Sequence, residues 1–388
     1  MNLLKLNGIL GFISPSSYFT NLGFISLREF LINYKINELI DLGGNVFQDA
    51  SVDSAILIIQ KEIIDDCVIK CADKNFKSNM LHKSIFLNLD NKIFNIYLDL
   101  NSLKIAEKIS KQSIFLDEIL NFARGVEFGF KSENVKSIQD NNTFPIVCGG
   151  NINRYKIDFE NKFVNYDSKK INIYKSKEIY EKDKILVRRI GNSIISCFDN
   201  QKFYNVCDVY NLQLKNNVFE FELKYVSAIL NSNIVDFYFD TKFKSVKILF
   251  PKIPIQNLKQ LPIPSISIYD QQPFIKKADQ MLSLNKEVQE TSQKFQRALE
   301  REFALDILPK KLQDWYLLSF AEFIKELEKK KVKLSLSQKG EWEDYFLQES
   351  KKALALKTEI DTTDKEIDQM VYELYGLTEK EIEIVENS

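Results

Sequence analysis

The sequence has 388 residues, more than one ordinary hydrophobic core supports, because single cores stop growing near about 250 to 300 residues. We therefore expect at least two domains. Hydrophobic residues make up 45% of the chain and charged residues 28%, a composition that excludes a disordered chain. The five cysteines are scattered and odd in number, which excludes a disulfide framework and a Cys-x-x-Cys metal site. The single histidine, His82, excludes a pair of histidine zinc ligands.

No feature of the sequence predicts export or membrane insertion. The N-terminal residues reach the polar stretch Ser14–Ser17 too soon for a signal peptide. No run reaches the roughly 18 apolar residues that a membrane span needs. We therefore expect a cytoplasmic protein.

The net charge of −1 hides a basic central segment. Lys131–Lys259 contains 21 basic and 14 acidic side chains, so the rest of the chain is acidic. DNA affinity depends largely on neutralising phosphates, and this charge distribution therefore fits a nucleic-acid-binding module. A chance fluctuation on a lysine-rich chain is the alternative interpretation.

The first 60 residues predict part of an α/β sheet. The apolar run Gly8–Ser14 predicts a fully buried strand, and the helical spacing of apolar residues in Phe24–Lys35 predicts a helix. Ile36–Leu42 and Val52–Gln60 predict two further strands. This order is typical of one end of a doubly wound sheet.

The remaining chain divides into three further parts. Residues 66–116 show no clear pattern, and we interpret them as a connection. Residues 117–265 predict short strands and a helix at Leu223–Phe239, and end in the proline-punctuated Phe250–Pro264, for which we expect no helix. Residues 266–388 predict a helical region that begins with a long helix at Tyr269–Phe303. The run Lys329–Lys331 is more typical of a solvated face than of a phosphate-binding group.

Several motifs together resemble a known family. NGILGFISPSSYF at Asn7–Phe19, LREFL at Leu27–Leu31 and GGNVFQDASVDSAILIIQK at Gly43–Lys61 are similar to the last motifs of the catalytic domain in TaqI-like, type IIG adenine-specific DNA methyltransferases. Downstream, FPIVCGGNINRYKI, KILVRRIGNSIISCFDNQKFY and YVSAILNSNIVDFYF resemble the specificity domain of that family, which is akin to type I specificity subunits. Each motif is weak alone, but they occur in the order of the family.

The resemblance implies a division of roles along the chain. Residues 1–65 would be the C-terminal part of the methyltransferase domain, residues 117–265 the target recognition domain and residues 266–388 a helical tail. The complete enzyme would use S-adenosylmethionine and would act on double-stranded DNA. The glycine-rich turn and the acidic residue that bind this methyl donor are not found before Asn7, and Asn-Pro, the start of the catalytic Asn-Pro-Pro-Tyr motif, does not occur in the sequence. We therefore expect no catalytic, cofactor-binding or metal-binding residue here, and we see no nuclease motif.

One residue of the base-binding site does carry over from the family. Enzymes that methylate a base must flip it out of the duplex and hold it between apolar or aromatic side chains. A phenylalanine before the last strand provides one face of this slot in the family, and Phe47 matches it. A core phenylalanine at a loop is the alternative interpretation.

Arginine, lysine and asparagine side chains in the central segment are candidates for DNA contacts, because they read base edges or hold phosphates. Arg188 and Arg189 are adjacent in a predicted strand, so at most one of them normally points at the DNA. The candidates are Arg124, Arg154, Arg188, Arg189, Asn192 and Lys202.

Three interpretations follow from these observations. The chain is half of a split enzyme whose partner chain carries the methyl-donor and Asn-Pro-Pro-Tyr motifs, and the sheet edge near Gly8–Ser14 is then the docking surface. Alternatively, it is a stand-alone, type I-like specificity subunit that assembles with a separate modification enzyme. A decayed fragment without function is the third interpretation.

Overall fold

The computed structural model describes residues 1–47, 52–243, 252–305 and 308–388, without the side chains of Leu22 and Asp90. The chain forms two compact units. The first contains the described residues of Met1–Lys111, Phe237–Leu249 and Glu379–Ser388, and the second those of Gln112–Asp236 and Phe250–Thr378. The expected fold class, α/β with a mixed α/β region and a helical C-terminal region, is confirmed.

The first unit is built on a five-stranded mixed sheet in the order β1-β3-β2-β4-β5. Strand β3 lies antiparallel between β1 and β2, and β2 is parallel to β4. The alternating isoleucines and leucines of β2 and β3 bury one face against Phe86 and Phe94. Its N-terminal elements are β1 (Ile9–Pro15), α1 (Ile25–Leu31), β2 (Tyr34–Gly43), β3 (Ser54–Ile63), β4 (Val68–Ala72), β5 (Ser78–His82), α2 (Lys83–Asn88) and α3 (Leu100–Lys111).

Three predictions for this region need correction. Strand β1 is not fully buried: among the described strands it pairs with β3 alone, and Ile9 and Phe12 are 60% and 58% exposed. The predicted helix Phe24–Lys35 ends at Leu31, because Tyr34 and Lys35 already pair with β3. Residues 66–116 are more than a connection, since they contribute β4 and β5 to the sheet. These two strands have only five residues each, too few for a clear sequence pattern.

The second unit begins with two four-stranded sheets, β15-β9-β12-β8 and β14-β13-β16-β7. We call the latter the recognition sheet. Helix α7 packs on β13 and β14 of this sheet. The elements are β6 (Ser113–Phe115), α4 (Leu116–Ile119), β7 (Leu120–Arg124), β8 (Val135–Lys136), β9 (Thr143–Val147), β10 (Ile152–Asn153), β11 (Lys156–Ile157), β12 (Phe163–Asn165), α5 (Ile171–Tyr174), α6 (Glu178–Glu181), β13 (Lys184–Arg188), β14 (Ser196–Asp199), β15 (Tyr204–Asn205), β16 (Val209–Leu214), α7 (Leu223–Leu230), α8 (Asn233–Phe243), α9 (Ile255–Lys259) and β17 (Pro262–Pro264).

The structure corrects two helix predictions in this unit. The helix predicted at Leu223–Phe239 is two helices, because Asn231 leaves the helical path and its side-chain amide binds the backbone N–H and C=O of Ser196. The proline-punctuated segment does contain a helix, α9, which begins directly after Pro254. Proline is tolerated at a helix start, where its missing N–H would have no helical partner. Phe250 and Pro251 of that prediction lie outside the described residues.

Strands β6 and β17 bring together the two ends of residues 116–261. They pair antiparallel, with Ile114 opposite Ile263. The Leu116 backbone N–H donates to the Leu261 carbonyl at 3.0 Å, which extends the pairing by one step. The chain therefore enters and leaves this region at adjacent points.

The C-terminal helices are α10 (Ile268–Phe303), α11 (Lys310–Gln313), α12 (Phe320–Lys329), α13 (Leu336–Leu374) and α14 (Glu379–Glu386). Helices α10 and α13 pack along each other, and an aromatic core around Phe295 and Trp315 joins them to α11 and α12. Helix α14 belongs to the first unit, where Glu381 pairs with Lys108 of α3 at 2.8 Å. None of the helices in the described residues has the length and apolar character to cross a membrane.

Candidate nucleic-acid interface

One end of the recognition sheet collects three of the predicted DNA-contact residues. Arg188 is the last residue of β13 and lies opposite Val209, the first residue of β16. Arg124 is the last residue of β7 and lies opposite Tyr210. Arg189 continues directly from β13, so all three arginines emerge at the same end of the sheet.

The loop after β13 is held at both of its sides. The backbone N–H of Ile194 donates to the Asp236 carboxylate of α8 at 2.6 Å. On the other side, the N–H of Ile253 donates to the carbonyl of Arg189 at 2.8 Å. Asn192 lies exposed between these anchors. The fold therefore presents its side chain on a constrained loop, which lowers the entropy cost of binding.

The adjacent arginines differ in their surroundings. The Arg188 N–H binds the Ile195 carbonyl, whereas the Arg189 N–H binds the carbonyl of Asp208. The guanidinium of Arg189 also donates to the carbonyl of Cys207 at 3.4 Å. The side chains of Arg188, Asn192 and Lys202 have no hydrogen-bond or ion-pair partner among the residues described. These three are therefore the candidates whose side chains have no partner at all among the described residues.

Asp208 places a carboxylate beside the arginines. It accepts a hydrogen bond from the backbone N–H of Gly149 at 3.0 Å. Burial raises the pKa of Asp208, while the Gly149 bond and the charges of Arg188 and Arg189 oppose that rise. The aspartate thus joins the GGN turn at Gly149–Asn151 to the arginine end of the sheet. Sequence reasoning missed this residue, because an isolated aspartate between two strands carries no local signal.

Arg124 is already engaged with a neighbour. Its guanidinium lies 3.2 Å from Glu127, and the same carboxylate binds Lys175 at 3.1 Å.

Close packing requires a glycine at position 125, directly after Arg124, since a Cβ atom there would lie 2.0 Å from the carbonyl oxygen of Asn205. Gly125 was also missed from the sequence, where nothing marks the approach of Asn205.

Lys202 lies apart from the arginines. Its turn follows β14, whose last residue, Asp199, is opposite Lys184 at the other end of β13. Lys202 is exposed and has a left-handed backbone conformation, with φ of 63°. The structure therefore places Lys202 and Arg188 at opposite ends of the recognition sheet.

Arg154 has partners within the protein. Its guanidinium lies 2.7 Å from the carboxylate of Asp364 on α13 and also donates to the carbonyl of Asn231. Burial raises the pKa of Asp364, and the charge of Arg154 opposes that rise. This geometry favours a role in attaching α13 over a role in DNA contact.

Phe47 lies at the carboxyl ends of two strands in the first unit. Pro15 ends β1 and Gly43 ends β2, and both residues pair with Ser54, the first residue of β3. Gly43, with φ of 65°, turns the chain into the loop that carries Phe47, which is 48% exposed. Ligands of open α/β sheets bind at such carboxyl ends. Gln48–Ser51 of the family motif lie outside the described residues.

A second aromatic side chain faces the same end of this sheet. The Tyr97 hydroxyl donates to the buried carboxylate of Asp41 at 2.6 Å, and the backbone N–H of Gly43 donates to the same carboxylate at 2.9 Å. Burial and the nearby charge of Asp41 raise the pKa of Tyr97. Tyr97 therefore fixes the turn from which the Phe47 loop departs. Sequence reasoning missed it, because it lies 50 residues after Phe47 in the chain.

Two family models match the chain. Residues 144–263 match the TaqI-like C-terminal specificity domain. Residues 267–371 match a domain of unknown function, DUF8810, which extends from α10 into α13.

Proteins with similar sequence or structure include several that are restriction-modification proteins by name. The chain is 27% identical over 293 residues to the "Putative type II restriction enzyme and methyltransferase RM.MjaORFECS2P" of Methanocaldococcus jannaschii, covering 67% of this chain. It spans 24% of that relative. Similar solved structures include the type IIG endonuclease BpuSI, at 12% identity and TM-score 0.35, covering 71% of this chain and 42% of that one. The type IIL enzyme MmeI, in complex with DNA, has 10% identity and TM-score 0.37, covering 89% and 50%.

Proposed function

We infer that the protein recognises a specific DNA sequence within an adenine-specific DNA methyltransferase or type IIG restriction-modification enzyme, because residues 144–263 match the TaqI-like C-terminal specificity domain. In this proposal residues 117–265 form the target recognition domain and residues 1–65 belong to the catalytic domain. A cytoplasmic location fits a protein that acts on genomic DNA.

The observation that carries the proposal lies inside the matched domain. Arg188 and Asn192 stand at one end of the recognition sheet, on a backbone that Asp236 and Ile253 hold in place. Arginine reads guanine and asparagine reads adenine in the major groove, each through paired hydrogen bonds. The side chains of Arg189 and Arg124 already contact Cys207 and Glu127. We assign these two arginines to phosphate contacts beside the bases that Arg188 and Asn192 would contact. Lys202, at the far end of the sheet, would bind a more distant phosphate.

Phe47 would stack on the target adenine after it leaves the duplex. Its exposure and its position at the strand carboxyl ends support this role.

The methyl donor itself does not fit the described residues. Gly43 ends β2 and Gly44 follows it, and among the described residues no helix begins directly after these glycines whose N-terminus could bind the charged donor.

Strand β1 supports a partner that would complete the catalytic domain. Its outer edge pairs with no strand among the described residues, and apolar side chains are exposed on both faces, Ile9 and Ile13 on one and Phe12 on the other. Exposed edges with apolar faces are sites of strand addition. We propose that a segment with the methyl-donor and Asn-Pro-Pro-Tyr motifs, on a separate chain or the same one, adds its strand here.

Two measurements test this proposal. Selection of bound duplexes from a random DNA library should return one short sequence. Arg188→Ala should then weaken binding to that sequence by about 1 to 3 kcal/mol and relax one base position, whereas Arg297→Ala, on the exposed face of α10, should not. A library that returns no sequence overturns the proposal.

Methyl transfer from labelled S-adenosylmethionine is the second measurement, for the chain alone and mixed with a candidate partner. Activity only in the mixture supports the split enzyme. Sequence-specific binding without methyl transfer in either sample favours the stand-alone specificity subunit.

A further inference from the structure

The helical region, whose matching family has no known function, carries a compact group of lysines. We call Lys310, Lys311, Lys329, Lys330, Lys331 and Lys333 the lysine cluster. Lys311 of α11 and Lys329 at the end of α12 reach the same carboxylate, Glu326, at 3.6 and 2.7 Å. The two helices therefore bring their lysines to one place, together with the turn after α12.

The acidic residues near the cluster do not neutralise it. Residues 310–333 contain seven lysines and four acidic side chains. Glu326 is almost buried beneath Lys311 and Lys329, and Glu322 is bound to the N–H and hydroxyl of Ser319 at the start of α12. Among the residues that the structure describes, no partner exists for the side chains of Lys310, Lys330, Lys331 and Lys333, and all four are exposed. An excess of positive charge thus faces solvent.

The cluster stands on a rigid base. The rings of Phe295 and Trp315 stack at 3.6 Å, and Phe323 and Phe346 pack around them. Fixed lysines bind phosphates at a lower entropy cost than lysines on a mobile tail.

This base is tied to the target recognition domain through α10. Gln289 donates to Asp158, next to β11, at 3.3 Å, and Ser292, one turn further, binds the Gln313 carbonyl at the end of α11. The cluster and the recognition sheet belong to the same compact unit. Packed elements of one unit therefore link the cluster to the recognition sheet.

We propose that the lysine cluster binds backbone phosphates of duplex DNA outside the sequence read by the recognition domain. This inference rests on the proposed function, because it assigns a second contact to the same DNA. Each neutralised phosphate releases counterions, which makes binding salt-dependent but independent of sequence. The helical region would then add affinity and leave specificity to the recognition sheet.

The test compares two triple variants of the full chain, each with three exposed lysines replaced. The cluster variant is Lys330→Gln, Lys331→Gln and Lys333→Gln. The control variant is Lys276→Gln, Lys351→Gln and Lys365→Gln, which removes the same charge from α10 and α13 and touches no described partner. Binding to a long labelled duplex of arbitrary sequence is measured by fluorescence anisotropy over a series of KCl concentrations.

A plot of log affinity against log salt concentration has a negative slope. Its magnitude should be smaller by about 2 to 3 in the cluster variant, at about 0.9 per lost phosphate contact. The control should leave the slope within about 0.5 of the unmodified protein. Equal slopes for both variants, with sequence-specific binding retained, would overturn the inference and leave the proposed function standing. Failure of the unmodified chain to bind any duplex would overturn both.

Discussion

The ammonium group of Lys184 lies 2.6 Å from the carboxylate of Asp199, and both side chains are fully buried. Lys184 also donates to the carbonyl of Tyr180 at 2.5 Å. Asp199 in turn accepts hydrogen bonds from the backbone N–H groups of Gln201 and Phe203. This ion pair therefore fixes both an end of the recognition sheet and the turn that carries Lys202.

Asp199→Ala should lower the free energy of unfolding by about 3 to 5 kcal/mol, because it leaves a buried ammonium without its counter-charge. Burial lowers the pKa of Lys184, and Asp199 opposes that effect. Between the lowered folded-state pKa and the normal lysine pKa, the unfolded chain holds a proton that the folded chain has lost. The free energy of unfolding of the variant should therefore increase as pH rises through this window. Urea unfolding at several pH values measures this. The double variant Lys184→Met/Asp199→Leu should lose less free energy of unfolding than Asp199→Ala. An equal loss would show that the unpaired buried ammonium is not the cause.

Gly125→Ala should destabilise the protein by about 1 to 3 kcal/mol, as overpacking does, because the new Cβ would overlap the Asn205 backbone. Thermal unfolding measures the loss. Gly129→Ala is the matched control, since nothing lies within 4 Å of a Cβ at that position. Similar melting temperatures for the two variants would show that β7 and the Asn205 segment separate easily.

Arg154→Ala should destabilise the protein by about 1 to 3 kcal/mol, the usual worth of a hydrogen bond to a charged group, and should leave the recognised DNA sequence unchanged. The raised pKa of Asp364 sets the pH dependence. Above its normal pKa the unfolded chain has lost the proton that the folded chain still holds, so stability falls as pH rises through this window. The free energy of unfolding that Arg154→Ala removes should therefore be smaller in acid, where Asp364 is protonated, than at neutral pH. A changed DNA preference in library selection would instead place Arg154 at the DNA.

Phe47→Ala should change the free energy of unfolding by no more than about 0.5 kcal/mol, because the side chain is half exposed. Methyl transfer by the completed enzyme should fall roughly 10- to 100-fold if the ring stacks on the target base. Phe47→Trp should restore much of the rate, and Phe30→Ala, another half-exposed phenylalanine in the first unit, should leave it unchanged. An unaffected rate in Phe47→Ala would remove this residue from the site.

Local patterns predicted the elements whose signals are local. The predicted strand that contains Arg188 and the predicted helix Tyr269–Phe303 correspond to β13 and α10. Strands β4 and β5 were not predicted, because these five-residue strands depend on pairing for their stability, β4 with β2 and β5 with β4. The exposure of β1 was also not predictable, since a buried and an edge strand share the same apolar run.

The candidate site was predicted by residue type but not by arrangement. Sequence spacing could not show that Arg188 and Lys202 lie at opposite ends of one sheet, because the β13–β14 hairpin reverses the chain between them. Nor could it show that Arg154 reaches Asp364, which lies 210 residues away on α13. Such long-range pairs are set by the packing of whole elements.

The antiparallel pairing of β6 with β17 has a consequence for how this protein changes over time. Residues 116–261 leave and rejoin the rest of the second unit at neighbouring points, but the described residues of Phe237–Leu249 within them belong to the first unit. Recombination at these two strands would keep β6 and β17 paired, provided that the exchanged stretch preserves the part of α8 that belongs to the first unit. Under the proposed function, a lineage would in this way change its DNA target in one step.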